Sequence, residues 1–425
     1  MNQATGILNN RVLPALTALS ENTYLSAIRA GMVSVVPLTI IGGLFMVVSF
    51  LPVAGWDKIV KLHLPLLQIP VTATFGMLGV FVCFAIGYDF GKRLKQEGIV
   101  SASMATVVFL MIQLNLPKPG MPGQEAEPIT YVMDGLGSKG LFTAILIALI
   151  SVRVQKFFTD RNFVIKLPKN VPPIVYESFL SLSPLFFLVL VFWLIRFVLG
   201  VDLNAIVQTA FQPVVFALNT LPGILVYAFL VTLLWSVGIN GDNAMDAIVA
   251  PIFLQYLAVN VDAMTQGQPL PYVTANGFFT TFVNVGGTGA TIALALIMWN
   301  SREPGFRKVS RLSLPTQIFQ INEPIFFGFP IVLNPVFMIP YILNALILTA
   351  GTYLLMDWGV IQKPFVNVPW TTPPIIGHYL VSGGDWKAAV WGAVSIAIAM
   401  TVYFPFARAA ERQRLKVETT GVAPE

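Results

Sequence analysis

The strongest chemical signal in the sequence is a single carboxylate in the apolar segment 317–335 (QIFQINEPIFFGFPIVLNP), where Glu323 lies between Asn322 and Pro324. A charge placed at membrane depth costs about 3 kcal/mol, so such residues usually mark functional sites. Pro324, with the glycine and prolines that follow it, prevents a regular helix, and broken backbone of this kind presents carbonyls and amides to a cavity. We therefore predict that Asn322 and Glu323 bind a ligand. The structural alternative is a proline-kinked turn that Glu323 caps.

A second polar interruption is the segment 235–246 (WSVGINGDNAMD), in which two glycines bracket a polar turn. Asn240 carries an amide donor and an acceptor, which suit a ligand hydroxyl such as one of a sugar. We predict that Asn240 contacts the ligand; the alternative is that the polar groups only cap a hairpin. Asp242 or Asn243 suits the N-cap of the apolar helix that follows, so for Asp242 and Asp246 we expect capping or solvation.

Two further segments hold candidate ligand contacts. In 282–291 (FVNVGGTGAT) the glycines allow close backbone approach, which favours helix packing first and a ligand contact by Asn284 and Thr288 second. In 368–374 (VPWTTPP) a rigid loop presents Trp370. Aromatic faces pack on the apolar C–H surfaces of sugar rings, but tryptophan is also a common anchor at the membrane interface.

The composition shows what kind of elements must position these residues. Of the 425 residues, 56% are hydrophobic and only 11% are charged, whereas soluble proteins are about 25% charged. The net charge of +5 comes from short basic clusters between apolar blocks, which is typical of topology signals and does not indicate a nucleic-acid partner. The single cysteine, Cys83, excludes a disulfide framework and a cysteine-rich metal site. We predict neither a metal nor a cofactor.

Apolar blocks run through most of the chain, and a helix that crosses a membrane needs about 20 mostly apolar residues. The clear blocks are 30–52, 70–91, 98–116, 139–158, 176–200, 220–238, 276–299, 335–356 and 387–407. Two more stretches, 240–262 and 317–334, are apolar but interrupted, which predicts either full spans or re-entrant hairpins. The stretch 202–218 has the pattern of an amphipathic helix at the membrane interface, with a short core helix as the alternative. The sequence thus predicts an all-α polytopic membrane protein.

Basic residues orient these blocks, because cytoplasmic loops carry an excess of lysine and arginine. Basic clusters follow the second and fourth blocks, position 299 and the last block, whereas 53–69 and 117–138 carry few basic residues. Both termini are therefore predicted to be cytoplasmic. A basic linker then divides the chain. The predicted parts are an N-terminal scaffold (1–174), a C-terminal transport domain (175–410) and a charged tail expected to fray (411–425).

Several short motifs, taken in order, resemble the lactose/cellobiose/chitobiose-type enzyme IIC membrane subunits of the bacterial phosphoenolpyruvate-dependent sugar phosphotransferase system. They are AIRAG (27–31), PLTI (37–40), GINGDN (238–243), GGTGAT (286–291), NEP (322–324), NP (334–335), WTTPP (370–374), GGDW (383–386) and YFP (403–405). Each motif is weak evidence alone, but all of them in order make a specific match over nearly the whole chain.

The resemblance implies a homodimer in the bacterial inner membrane, with about ten transmembrane helices and two re-entrant hairpins per subunit. Its N-terminal domain would form the dimer, and its C-terminal domain would bind a disaccharide such as cellobiose or diacetylchitobiose and move like an elevator. The glutamate of the Asn-Glu-Pro motif, here Glu323, would hydrogen-bond the 6-hydroxyl of the sugar. A separate cytoplasmic IIB protein would then phosphorylate that hydroxyl from a phosphocysteine.

One position departs from the family pattern, which usually has histidine where this chain has Asn240. Asparagine can hydrogen-bond a hydroxyl but cannot take its proton near neutral pH, unlike imidazole. Assistance to phosphoryl transfer would then fall on Glu323 alone. For His63 and His378 we expect surface or packing roles, and Cys83 lies inside a predicted span, so any phosphoryl donor is another protein.

Two other classes of function are weighed against the transporter subunit. A sugar facilitator or ion-coupled carrier on the same fold is motivated by Asn240, and its sign would be unmodified sugar inside without a phosphodonor. A membrane hydrolase or ion channel is disfavoured, because the sequence shows no metal-ligand cluster, no Ser/His pair and no carboxylate repeat that could form a ring.

Overall fold

The structure is a computed structural model that describes residues 22–50, 55–115, 128–165, 179–329 and 331–420. Within these ranges the chain is helical and contains no β-strand, only one isolated bridge between Leu114 and Tyr131. The all-α prediction is therefore confirmed. The longer helices are α1 Thr23–Ser34, α2 Val36–Ser49, α3 Trp56–Thr74, α4 Leu78–Arg93, α5 Gly98–Ile112, α6 Leu141–Asp160, α7 Leu182–Trp193, α8 Leu203–Leu218, α9 Leu221–Ser236, α10 Gly241–Thr265, α11 Ile292–Met298, α12 Pro304–Gln317, α13 Glu323–Gly328, α14 Pro335–Asp357, α15 Pro374–Val381 and α16 Trp386–Thr420.

Several of these helices are long and apolar enough to cross a membrane. In the described part of the chain there are six such stretches, Thr23–Ser49, His63–Arg93, Ser138–Asp160, Ile248–Thr265, Pro335–Asp357 and Trp386–Lys416. The pair Leu182–Val198 and Leu203–Leu218 passes the same test together but is bent by 88°, and α5 and α9 are apolar but shorter. The chain is a multi-pass membrane protein. The total of about ten spans stays a prediction.

The helices form two compact units, each built from separate stretches of the chain. The first comprises the described residues within 1–42, 70–213 and 246–258. At its centre α4 packs against α1, α5 and α6. A Cβ atom on Gly87 of α4 would lie 3.0 Å from the Cα atom of Ala102 on α5, so the absence of a side chain allows this close approach.

The second unit comprises the described residues within 43–69, 214–245 and 259–425. In it α14 packs against α9 and α16, and α16 also packs against α11 and α15. This unit contains every residue that the sequence assigns to the ligand, namely Asn240, Asn284, Thr288, Asn322, Glu323 and Trp370. The site can therefore be described within one compact body.

One apolar stretch folds differently from its sequence prediction, whereas a second has one of its two predicted forms. The block 276–299, predicted as a clear span, contains a π-helical turn (Phe278–Val283), an irregular loop and the short helix α11. The glycines of this block adopt positive φ angles, which interrupt a helix. The stretch 240–262, predicted as a full span or a re-entrant hairpin, lies almost wholly within the continuous 25-residue helix α10, which retains Pro251 in its interior.

The C-terminal part of the chain is more ordered than its charge suggests. Although the residues after Ala410 were expected to fray, α16 continues to Thr420. Glu411 is buried there: its Oε1 accepts hydrogen bonds from Ser301 Oγ at 2.5 Å and from the Arg302 amide at 2.6 Å, and its Oε2 accepts one from Arg408 at 2.7 Å. These contacts fasten α16 to the turn that precedes α12.

Candidate ligand-binding site

The centre of the candidate site is a glycine-rich loop, 284–291, between the π-helical turn and α11. Gly286, Gly287 and Gly289 have φ angles of +73°, +102° and +76°, values that residues with a side chain rarely adopt. A Cβ atom on Gly287 would lie only 2.4 Å from the Cβ atom of Asn322. Glycine at this position therefore permits both the conformation of the loop and its contact with the Asn-Glu-Pro turn.

Side chains from two other elements fix the backbone of this loop. Gln320 Oε1 accepts hydrogen bonds from the amides of Gly286 and Gly287, at 2.6 and 3.1 Å. Asn322 Nδ2 donates to the carbonyl of Thr288 at 3.0 Å, and the Tyr403 hydroxyl donates to the carbonyl of Gly289 at 2.8 Å. These side chains satisfy backbone groups that a helix would have paired, so the irregular loop does not leave them unpaired in the interior.

Gly287→Ala should destabilise the protein strongly. The strained φ alone costs about 1–3 kcal/mol, and the contact with Asn322 adds to it. Gly359→Ala is a matched control, because Gly359 also has a positive φ, +69°, but no atom lies within 4 Å of its added Cβ. Thermal unfolding in detergent measures both variants. Equal losses of stability would show that Asn322 yields freely to the new methyl group.

Asp242, in the first turn of α10, joins this loop to α9. Its Oδ2 accepts hydrogen bonds from Trp235 Nε1 at 2.8 Å and from Thr288 Oγ1 at 2.6 Å. Its Oδ1 accepts one from Asn284 Nδ2 at 3.3 Å. Asn284 and Thr288, both predicted from the sequence as ligand contacts, thus meet at one carboxylate. The expected capping role of Asp242 is replaced by this side-chain network.

Asn240 is the residue that caps α10. Its Oδ1 accepts a hydrogen bond from the Asn243 amide at 2.9 Å, which satisfies one of the free N–H groups at the start of the helix. The cap uses only the acceptor atom of the side chain. Because Asn240 is half-buried, its Nδ2 stays available to donate to a ligand. Capping and ligand binding are therefore compatible at this position.

Glu323 begins the short helix α13, directly after Asn322. It is exposed, and none of the hydrogen bonds among the described residues involves its carboxylate. The capping alternative therefore has no support in these contacts. The carboxylate of Glu323 is free to accept a ligand hydroxyl.

The remaining residues singled out in the sequence lie in varied surroundings. Trp370 is 57% exposed in the loop before α15, and its stacking on a sugar stays a prediction. His378 is fully buried, with its ring centroid 4.5 Å from that of Phe282, as expected for a packing role. His63 is exposed, and Cys83 is buried within α4. No group of three or more His, Cys, Asp or Glu side chains among the described residues is arranged to hold a metal ion.

Two residues of the site were not predicted from the sequence. Asp242 was assigned to a cap, although a carboxylate in an apolar membrane segment is the same signal that identified Glu323. Gln320 carries no such signal, because its role depends on a loop whose amides are left free by the glycines. Asp242 could therefore have been identified from the sequence, whereas Gln320 could be identified only from the structure.

Comparison with known proteins agrees with the motifs. The model of the phosphotransferase system EIIC family matches residues 29–345. The chain is 33% identical to the lichenan permease IIC component of Bacillus subtilis, over 98% of this chain and 96% of that protein. It is 34% identical to the cellobiose-specific EIIC component of Geobacillus stearothermophilus, with the same coverage.

A solved structure shows the same fold. The crystal structure of the transporter ChbC, the IIC component from the N,N'-diacetylchitobiose-specific phosphotransferase system, matches with a TM-score of 0.89 and 33% identity. The match covers 98% of this chain and 100% of that one. Sequence and fold agree over nearly the whole chain, and the protein belongs to the EIIC family of the phosphotransferase system.

Proposed function

We propose that the protein binds a disaccharide such as cellobiose or diacetylchitobiose and carries it across the membrane for phosphorylation by a separate cytoplasmic IIB protein. The named substrates of the similar proteins, cellobiose and N,N'-diacetylchitobiose, support this class of sugar. The observation that carries the proposal is that hydrogen bonds connect three polar segments within one unit. These segments are 240–243, 284–288 and 320–323. Amides, hydroxyls and carboxylates that converge between apolar segments suit a ligand rich in hydroxyl groups.

The residues of the site have different parts in this proposal. Glu323 accepts a hydrogen bond from the 6-hydroxyl of the sugar, Asn240 donates from Nδ2, and Trp370 stacks on a sugar ring. Asn284, Thr288 and Asn322, which are buried, line the site and hold its shape. Glu323 and the Nδ2 of Asn240 have no hydrogen-bond partner among the described residues and are available to the sugar. Hydrogen bonds hold the side chains of Asn284, Thr288 and Asn322 in place.

Phosphoryl transfer takes place between the sugar and the IIB protein. The 6-hydroxyl oxygen attacks the phosphorus of the phosphocysteine, an O–P bond forms and the S–P bond breaks, and the thiolate of IIB leaves. Glu323 accepts the hydroxyl proton, which makes it the catalytic residue on this chain. Cys83, the single cysteine of this sequence, is buried within a helix and is therefore not the phosphoryl donor.

The arrangement in the membrane is part of the same proposal. The protein has about ten spans, two re-entrant hairpins at the Asn240 and Glu323 segments, and both termini in the cytoplasm of a bacterial cell. It forms a homodimer through the scaffold (1–174), and the transport domain (175–410) moves as an elevator while the tail (411–425) stays cytoplasmic. The alternation of basic loops and the broken segments at the site support this arrangement.

Transport assays test the function directly. Membrane vesicles holding the protein receive radiolabelled cellobiose or diacetylchitobiose, with and without phosphorylated IIB on the cytoplasmic side. Sugar phosphate should form only with the donor, and Cys83→Ser should support the same rate. Unmodified sugar crossing without a donor would contradict the proposal and favour a facilitator. A failure to bind any disaccharide of a wider panel would refute sugar transport.

A further inference from the structure

Asp242 is a carboxylate whose charge is balanced by hydrogen-bond donors. Three side chains from two other elements donate to it, and it lies in the first turn of α10, where the helix dipole favours an anion. Among the described residues no lysine or arginine forms an ion pair with it, and the same is true of Glu323. Hydrogen-bond donors, and no basic side chain among the described residues, therefore surround the Asp242 carboxylate.

The burial of this cluster shows which of its members a ligand can reach. Asn284 and Thr288 are only 7% and 4% exposed, whereas Asp242 is half-buried. Among the described residues its Oδ1 has a single hydrogen-bond partner, Asn284, at a long 3.3 Å, and a carboxylate oxygen can accept more than one hydrogen bond. The accessible acceptor of the network is thus Asp242 itself, and the buried side chains orient it.

Asp242 and Glu323 lie on the same part of the unit. Thr288 donates from its hydroxyl to Asp242 and accepts at its carbonyl from Asn322, the residue before Glu323. Trp235, which donates to Asp242, packs its ring against that of Phe326 in α13, with centroids 5.1 Å apart.

We propose that Asp242 is a second sugar-contacting carboxylate, and that together with Glu323 it makes the site selective for uncharged over anionic sugars. This inference rests on the proposed function. Neutral hydroxyls donate to both acids, while an anionic group is repelled by both. Repulsion between one carboxylate of the site and one unit of negative charge on the ligand, at about 6 Å and an effective dielectric constant of about 20, lowers the affinity about 100-fold. The same two carboxylates would repel the phosphorylated product, whereas they accept hydrogen bonds from the unmodified sugar.

The wild-type protein gives the first test. Competition against radiolabelled cellobiose is measured for unlabelled cellobiose, for its 6-carboxylate (the uronic acid) and for its 6-amino-6-deoxy counterpart. The carboxylate should bind at least about 100-fold more weakly than cellobiose, and the amine at least as tightly. Equal affinity of the carboxylate and cellobiose would overturn the inference. Absence of any binding by cellobiose and the wider panel would instead contradict the proposed function.

Variants then assign the selectivity to Asp242. Asp242→Asn should reduce the ratio of the carboxylate and cellobiose dissociation constants about tenfold or more, because one of the two charges is gone. Asp242→Glu should keep the ratio while weakening both ligands. Asp357→Asn is the matched control, since Asp357 is exposed at the end of α14, and its ratio should equal that of the wild type. An unchanged ratio in Asp242→Asn would limit Asp242 to a structural role.

Discussion

Replacing Glu323 by glutamine is expected to weaken disaccharide binding about 10- to 150-fold, which corresponds to the roughly 1.5–3 kcal/mol of a hydrogen bond to a charged group. The carboxylate is exposed at the start of α13 and has no hydrogen-bond partner among the described residues, so the ligand gains the whole interaction. Glutamine keeps the shape but accepts a neutral hydrogen bond. Equilibrium binding of radiolabelled cellobiose in detergent measures the change.

The unfolding temperature shows whether Glu323→Gln binds weakly because it has lost the hydrogen bond or because it is misfolded. Because no hydrogen bond among the described residues depends on the Glu323 carboxylate, Glu323→Gln should unfold at the same temperature as the wild type. Asp357→Asn, an exposed carboxylate outside the site, should retain both stability and affinity. Wild-type affinity in Glu323→Gln would remove this residue from the sugar site.

Asn240→His is expected to raise the rate of sugar phosphorylation in the presence of phosphorylated IIB, because imidazole adds a second base beside Glu323; the full range of general-base assistance, about 10²- to 10⁴-fold, is the upper limit of the gain. Imidazole can take the hydroxyl proton as the bond to phosphorus forms, whereas an amide cannot. Affinity should change little, because binding uses the hydrogen bond of the ground state and catalysis uses the proton acceptor of the transition state. Sugar phosphate formed per unit time is compared with the equilibrium binding constant.

The capping role of Asn240 supplies the control for this experiment. Losing the side-chain bond to the Asn243 amide would cost about 1 kcal/mol. Asn240→Ser restores a cap but offers no base, so its phosphorylation rate should stay at the wild-type level. A rate in Asn240→His equal to that of Asn240→Ser would show that position 240 takes no part in proton transfer.

Much of the site follows from the sequence because its residues are conspicuous at membrane depth. The segments that contain Asn240, Asn284, Thr288 and Asn322 were identified from polar residues in apolar blocks, and the structure connects them by hydrogen bonds through Asp242 and the Thr288 carbonyl. Which of these side chains hydrogen-bond to each other depends on how distant segments pack, and the local pattern of one sequence does not show this packing. Asp242 shows this limit: next to an apolar helix it matches a cap, and only its tertiary neighbours reveal another role.

Hydropathy predicts the regular membrane-spanning helices of the fold but not the irregular segments between them. Length and hydropathy indicate spans such as Pro335–Asp357, because a crossing helix satisfies its own backbone. Hydropathy does not detect where other side chains satisfy a broken backbone. The block 276–299 is as apolar as a span, yet Gln320 and Tyr403 stabilise an irregular loop within it.

The long C-terminal helix has a mechanical consequence. Its 35 residues measure about 52 Å, whereas the hydrocarbon layer is about 30 Å thick. The helix is therefore about 20 Å longer than this layer is thick, and near its C-terminal end Glu411 accepts a hydrogen bond from Ser301 at the turn before α12. A fused domain or spectroscopic label at the end of α16 would therefore register a displacement of that turn.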